Sequence, residues 1–180
     1  MEPTPSTARI ALKWGLISGI VSAAFSIGYE VLGFTSEDQP QENQGIGLAI
    51  FFLAMAFAVL ILILATREFR ELSGGYISFG QGVGLSVLTG AVWGVASGGL
   101  GLIYTQFIDN TATERALAST REAYERQGMS DEKIEQIMWL PRFFTEPGVS
   151  FVLSVFLGVI AGVLLGLIVS AVVKKDRPVF

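Results

Sequence analysis

Four stretches of the chain, roughly Trp14 to Phe34, Gly45 to Ala65, Val83 to Ile108 and Val149 to Val173, are apolar over about 20 residues or more. That length lets a helix cross the hydrocarbon core of a bilayer. It restricts the fold more than any other feature, because in lipid each backbone N–H and C=O must find its partner within the same segment or in a closed barrel. Glu30 is the only charged residue inside the four runs. Since the chain is 51% hydrophobic and 16% charged, with the charges gathered in short blocks, an ordinary soluble domain is excluded. The expected fold is an all-α membrane protein, a single membrane domain over residues 1–180 with four transmembrane helices. The first run is read as a span because it continues well past the ~7–15 apolar residues of a signal-peptide core.

Charge asymmetry orients the spans. Arg9 and Lys13 precede the first, Arg67 and Arg70 follow the second, and Lys174, Lys175 and Arg177 follow the fourth, whereas the link from Thr35 to Gln44 holds Glu37, Asp38 and Glu42 with no Lys or Arg. Basic flanks stay cytoplasmic, so both termini are expected inside (N-in, C-in) and the acidic link outside. Trp14, Tyr76 and Phe79 then fall at the inner boundary and Tyr29 and Tyr104 at the outer one. The Gly- and Ser-rich "SGGYISFGQG" makes the cytoplasmic turn.

Residues 109–148 must also lie outside, as an extracytoplasmic helical hairpin inserted between spans three and four. Thr111 or Thr113 can cap a helix from about Glu114 to Gln127, ended by Gly128. Ser130 can cap a second, "DEKIEQIMWL", with acids in its first turn and Pro141 stopping it. Trp139, Phe143 and Phe144 are expected to touch the headgroup region.

Small residues recur every fourth position along the fourth span, Ser154, Gly158, Gly162, Gly166 and Ser170, and along the third, Ser86, Gly90, Gly94 and Gly98. The first carries the shorter series Gly15, Gly19 and Ala23. Positions four apart share one side of a helix, and in lipid, where hydrophobic force between helices is weak, a groove of this kind permits close backbone approach. These residues are read as helix-packing positions, within one chain before between copies. Gly15, Gly19, Ser22 and Tyr29 also match Gly90, Gly94, Ser97 and Tyr104 at a shift of 75 residues, which leaves an internal duplication open.

A basic N-terminus leading into "KWGLISGIVSAAF", the "REFRELSGGYISFGQG" link, "IYTQFIDN" closing the third span, the segment "ERQGMSDEKIEQIM" and the final "GVIAGVLLGLIVSAVVKK" together resemble the bacterial domain-of-unknown-function 4199 family over nearly the whole chain. The resemblance implies four spans in a bacterial inner membrane. It implies no catalytic residues.

Chemistry is sparse. With no cysteine and no histidine, disulfides, thiolate nucleophiles, histidine-bound metals and the usual proton shuttle are removed. Calcium-ligand spacing, Walker loop, zinc signature and nucleophile elbow are missing. No catalytic, cofactor-binding or metal-binding residue is expected, and no nucleic-acid partner. Glu30 is the one suspect, since intramembrane carboxylates are costly. Near the outer end of its helix and beside Tyr29, where a carboxylate can reach water or headgroups, it is read as an interfacial anchor or as hydrogen-bonded to Tyr104 or Gln106, or else as a proton or cation site. The carboxylates of residues 109–148 alternate with Arg115, Arg121, Arg126 and Lys133 and read as a solvated helical face. The functional expectation is a non-enzymatic accessory or scaffold component contacting a partner through its outer hairpin, with the bilayer around it and a second copy or another membrane protein as partner. The alternative is a small oligomeric transporter or channel with Glu30 near the path.

Overall fold

The turn Ser73–Ser78 shows how the sequence sets the helix boundaries. Gly74 and Gly75 adopt φ values of 72° and 89°, a region glycine enters without the steric penalty of a side chain, and the next helix starts on a capping box. Ser78 Oγ accepts from Gln81 N–H (3.3 Å), while Ser78 N–H donates to Gln81 Oε1 (3.0 Å), satisfying two donors that the first helical turn would leave unpaired.

The structure is a computed structural model and describes residues 6–31 and 40–175. Its helices are α1 (Thr7–Val31), α2 (Pro40–Leu72), α3 (Phe79–Ile103), α4 (Ala112–Arg126), α5 (Asp131–Ile137), α6 (Trp139–Thr145) and α7 (Pro147–Val173), with a π-helical turn at Tyr104–Ile108 after α3. Four segments, Thr7–Val31, Gly47–Leu72, Phe79–Ile108 and Pro147–Val173, are long and apolar enough to cross a membrane. This is an all-helical, multi-pass membrane protein. Of the charges used to orient the chain, Glu37, Asp38 and Arg177 lie outside the described residues.

Helix α3 is the centre of the bundle, packed between α1 and α7. Against antiparallel α7 the contact is backbone on backbone. A Cβ at Gly90 would collide with the Gly158 carbonyl oxygen, and one at Gly158 with that of Gly90. A Cβ at Gly94 would stand 2.5 Å from Ser154 O, one at Gly162 2.6 Å from Ser86 O, one at Gly166 2.6 Å from Ser86 Cβ, and one at Gly82 2.5 Å from Ser170 Oγ; at Gly98 it would overlap Ser154 Oγ. Ser154 Oγ–H donates across the interface to Gly94 O (2.9 Å). On the other side of α3, a Cβ at Gly15 would meet Val92 Cβ and one at Gly19 would meet Ala96 Cβ, each at 2.5 Å. Trp93 Nε1–H donates to Ser22 Oγ (3.0 Å).

One hydroxyl in this seam is unsatisfied: Ser170 Oγ is buried without a hydrogen-bond partner. Ser170→Ala removes that cost, so the variant should be as stable as the wild type or more stable by up to about 1 kcal/mol, read as the midpoint of thermal unfolding in detergent.

Helix α2 packs differently. Ile61, Leu62, Ala65, Thr66 and Phe69, all in its second half, are buried, whereas Leu48, Phe51, Phe52 and Leu53 in the first half are exposed. Among the described residues, the buried part of α2 lies toward the end of the bundle that holds the start of α1 and the end of α7, the terminal end, where Ile10, Ala11, Ala65, Phe69, Ile77 and Leu85 form a core flanked by Trp14. At this end Lys13 Nζ donates to both Glu68 carboxylate oxygens (3.0 and 2.8 Å) and Trp14 Nε1–H to Glu68 Oε2 (2.7 Å). Ile77 and Lys175 exchange two backbone hydrogen bonds of 3.0 Å each, which ties the α2–α3 turn to the end of α7.

The segment between α3 and α7 departs from a two-helix hairpin. Its second expected helix does not stop at Pro141. The chain breaks at Met138 and restarts as α6, in whose first turn Pro141 sits. A first-turn N–H has no intrahelical acceptor, so proline costs nothing there. The segment is a three-helix unit. Neither Thr111 nor Ser130 makes a side-chain cap bond.

Candidate functional site

The end of the bundle opposite the termini holds the most concentrated set of polar contacts that joins separate elements. α1 delivers Tyr29 and Glu30 there, and α3 ends in the π-turn, closed by Asp109 N–H donating to Tyr104 O (2.9 Å). Such turns insert a residue into the helical ladder; this one leaves Tyr104 buried and Asp109 at the rim. Asp109 then organises the entry to α4. Its Oδ1 accepts from Thr111 N–H (3.1 Å) and Thr111 Oγ1–H (2.8 Å), the local side-chain-to-backbone pattern typical of aspartate.

Arg115, one turn into α4, closes the site. Its guanidinium donates to Glu30 Oε1 at 3.1 Å, to an Asp109 carboxylate oxygen and to Thr111 Oγ1 at 3.0 Å. One cation thus joins α1, the π-turn and α4. The structure gives Glu30 a charge partner that the sequence reading does not name, Arg115, while Gln106 is exposed. Arg115 is one of the cations of the solvated face expected for residues 109–148, and its side chain stays 56% exposed. Helical periodicity cannot pair residues 85 positions apart; the one local signal was "DNT" before a helix, which marks Asp109 as a turn-former but leaves its arginine unidentified.

The arginine holds the Asp109 carboxyl below the ordinary aspartate range, helped by the Thr111 hydroxyl. A lowered value gives a definite sign. The contribution of Asp109 to holding α4 is complete above the ordinary aspartate range and is lost as pH falls through the lowered value. Protection against hydrogen exchange at the start of α4, taken relative to the intrinsic rate at each pH, should therefore fall only in acid, and Asp109→Asn should flatten that dependence. Glu30→Gln leaves Arg115 its Asp109 bond and should change stability by no more than about 1 kcal/mol, the scale of a partly exposed ion pair; thermal unfolding of the purified protein measures it.

Further polar groupings among the described residues lie outside this site. Lys13, Trp14 and Glu68 meet at the terminal end, a contact missed in the sequence because Glu68 falls beyond the apolar run of α2. Within the three-helix unit, Arg121 bridges Glu125 (3.0 Å), Asp131 (3.3 Å) and Glu135 (2.9 Å), and Arg142 stands 3.6 Å from Glu135. The packing residues Gly15, Gly19, Ser86, Gly90, Gly94, Gly98, Ser154, Gly158, Gly162, Gly166 and Ser170 lie on the contacts of α3 with α1 and α7 described above, away from the Arg115 site. The arrangement joins helices by charge, and its carboxylates are occupied by arginine.

No curated protein and no solved structure matches the chain. Residues 13–175 match the family described as a protein of unknown function, DUF4199. That match runs from within α1 to just past the end of α7 and takes in the three-helix unit, and the chain belongs to the DUF4199 family.

Proposed function

We propose that the protein is a non-enzymatic component of a bacterial inner membrane, with both termini cytoplasmic and the three-helix unit outside, and that this unit is the surface through which it contacts a membrane-protein partner. The observation that carries the reading is Arg115 joining α1, the π-turn and α4: the polar unit is fixed to the bundle rather than tethered by a loop. Arg121, engaged with three carboxylates, fixes its helices to one another. Preorganisation of this kind lowers the ordering cost of association. Two observations support the rest of the reading. Glycines of α3 and α7 meet at backbone distance, leaving that interface no room for a permeation path. Arg9, Lys13, Arg67, Arg70, Lys174 and Lys175 flank the spans at the terminal end, the basic short-flank signal that sets cytoplasmic ends.

Cysteine labelling from outside the cell should reach positions 40 and 125 but not 70; labelling of 70 alone would invert the orientation. A photo-crosslinker at Glu122 or Arg126, both exposed on α4, should give one discrete adduct in native membranes, and one at the exposed Leu164 of α7 should give none. Absence of an adduct from α4 would remove the contact reading. A pH- or cation-dependent flux in vesicles that disappears in Glu30→Gln would replace it with the transporter.

A further inference from the structure

Helix α6 turns its apolar residues the wrong way for a soluble unit. Trp139, Leu140, Phe143 and Phe144 occupy positions i, i+1, i+4 and i+5, one face of the helix, and are exposed at 64%, 44%, 49% and 43%. Phe143 and Phe144 stack edge to face with ring centroids 5.6 Å apart. The interior of the unit is filled by other residues, Ile134 and Met138. Helix α4 has the opposite character: its exposed residues include Glu114, Glu122, Glu125 and Arg126. The unit therefore has a polar wall on α4 and an aromatic wall on α6. A patch of this kind in contact with water marks a surface that something apolar covers.

Continuity with the membrane-spanning surface identifies what covers it. Only Glu146 separates α6 from Pro147, the first residue of α7, and α6 packs on α7. The exposed face continues along α7 through Val152 and Phe156. At the end of the third span, Phe107 and Ile108 are the last apolar residues before Asp109, and both are exposed. The aromatic wall thus adjoins the start of one membrane-spanning helix, α7, and exposed apolar residues also close the third span. Tryptophan and phenylalanine beside an exposed arginine, here Arg142, suit the headgroup layer: the rings enter the acyl boundary and the guanidinium meets phosphate.

We infer that α6 lies in the headgroup layer of the bilayer with Trp139, Leu140, Phe143 and Phe144 inserted toward the acyl chains, so that the three-helix unit rests on the membrane and presents α4 to water. The occupant of the aromatic wall is lipid, and α4 is the face left for proteins.

The chain has no native cysteine, so nitroxide labels can be placed at Trp139→Cys, Phe143→Cys, Glu122→Cys and Phe156→Cys. The protein is reconstituted alone in vesicles of phosphatidylcholine and phosphatidylglycerol. Collisions with oxygen report the bilayer, and collisions with a water-soluble nickel chelate report solvent. The ratio of oxygen to nickel collisions at 139 and 143 should exceed that at 122 severalfold and approach that at 156. A ratio at 143 equal to that at 122 would place the face in water, and labels immobilised and shielded from both reagents would place it against a second copy; either result overturns the inference. A measurement without labels guards against misfolding of these variants. The emission lost in Trp139→Phe relative to wild type should be quenched by phospholipid brominated near the headgroup end of its acyl chains, and an unquenched difference spectrum overturns the inference equally.

Discussion

Gly90→Ala and Gly158→Ala should each destabilise the protein by about 1–3 kcal/mol, the usual cost of forcing a methyl group into a filled interface. Gly84→Ala and Gly99→Ala should be neutral or stabilising by up to about 1 kcal/mol through helix propensity. All four are glycines of α3 or α7, and the same methyl is added each time. The difference lies in what it meets. At Gly90 and Gly158 the obstacle is the facing carbonyl oxygen, part of a rigid helical backbone, whereas at Gly84 and Gly99 nothing stands within 4 Å. A backbone atom cannot rotate aside as a side chain can, so relief requires α3 and α7 to separate, and the cross-interface bond from Ser154 Oγ to Gly94 O weakens with them. Gly162→Leu, with Ser86 O 2.6 Å from its Cβ position, should be worse still and should reduce the yield of folded protein. Leu164→Ile on the exposed side of α7 should be tolerated. Thermal unfolding of the purified variants in one detergent gives the order; equal tolerance at all four glycines would show that the α3–α7 seam can open without cost.

Ile134→Ala should release the three-helix unit while leaving the spans folded. Ile134 is 0% exposed, and removing a buried isoleucine to alanine costs about 2–5 kcal/mol, depending on how far the site collapses. The unit is small, so a loss of that size approaches its whole local stability. Its ion pairs cannot compensate, because exposed pairs such as those of Arg121 contribute roughly 0–1 kcal/mol each. Trypsin should then cut after Arg121, Arg126 or Lys133 much faster than in wild type, with the midpoint for the membrane helices nearly unchanged. Ile137→Ala, at a residue 36% exposed, provides the control and should leave cleavage slow.

These two results probe interactions that differed in how far the sequence revealed them. The four-residue beat of small residues in α3 and α7 could be read directly, because helical geometry puts positions i and i+4 on one side whatever else the chain does. Which groove faces which could not be read. α3 uses Gly90 and Gly94 toward α7 and offers Val92, Trp93 and Ala96 to Gly15, Gly19 and Ser22 of α1, so one helix serves two partners from different faces. α2 joins the core with its second half, where Ile61, Leu62, Ala65, Thr66 and Phe69 are buried, while Leu48, Phe51, Phe52 and Leu53 stay exposed.

Local chemistry decided the spans, the capping box at Ser78 and Gln81, and the glycine turn at Gly74 and Gly75, since each depends on residues within a few positions of one another. Membership of the family was legible for the same reason, in segments that keep their order along the chain. Three features needed the tertiary structure. Pro141 is a helix stop in any linear reading and becomes a first-turn residue once the chain has broken at Met138. Glu30 is an isolated charge in the sequence; α4, folding back over the end of α1, brings it Arg115 at 3.1 Å. The aromatic residues of α6 are apolar in either case, but only the filling of the interior by Ile134 and Met138 turns them outward. Ion pairs and apolar faces are set by which elements are brought side by side, and no periodicity in the sequence carries that distance.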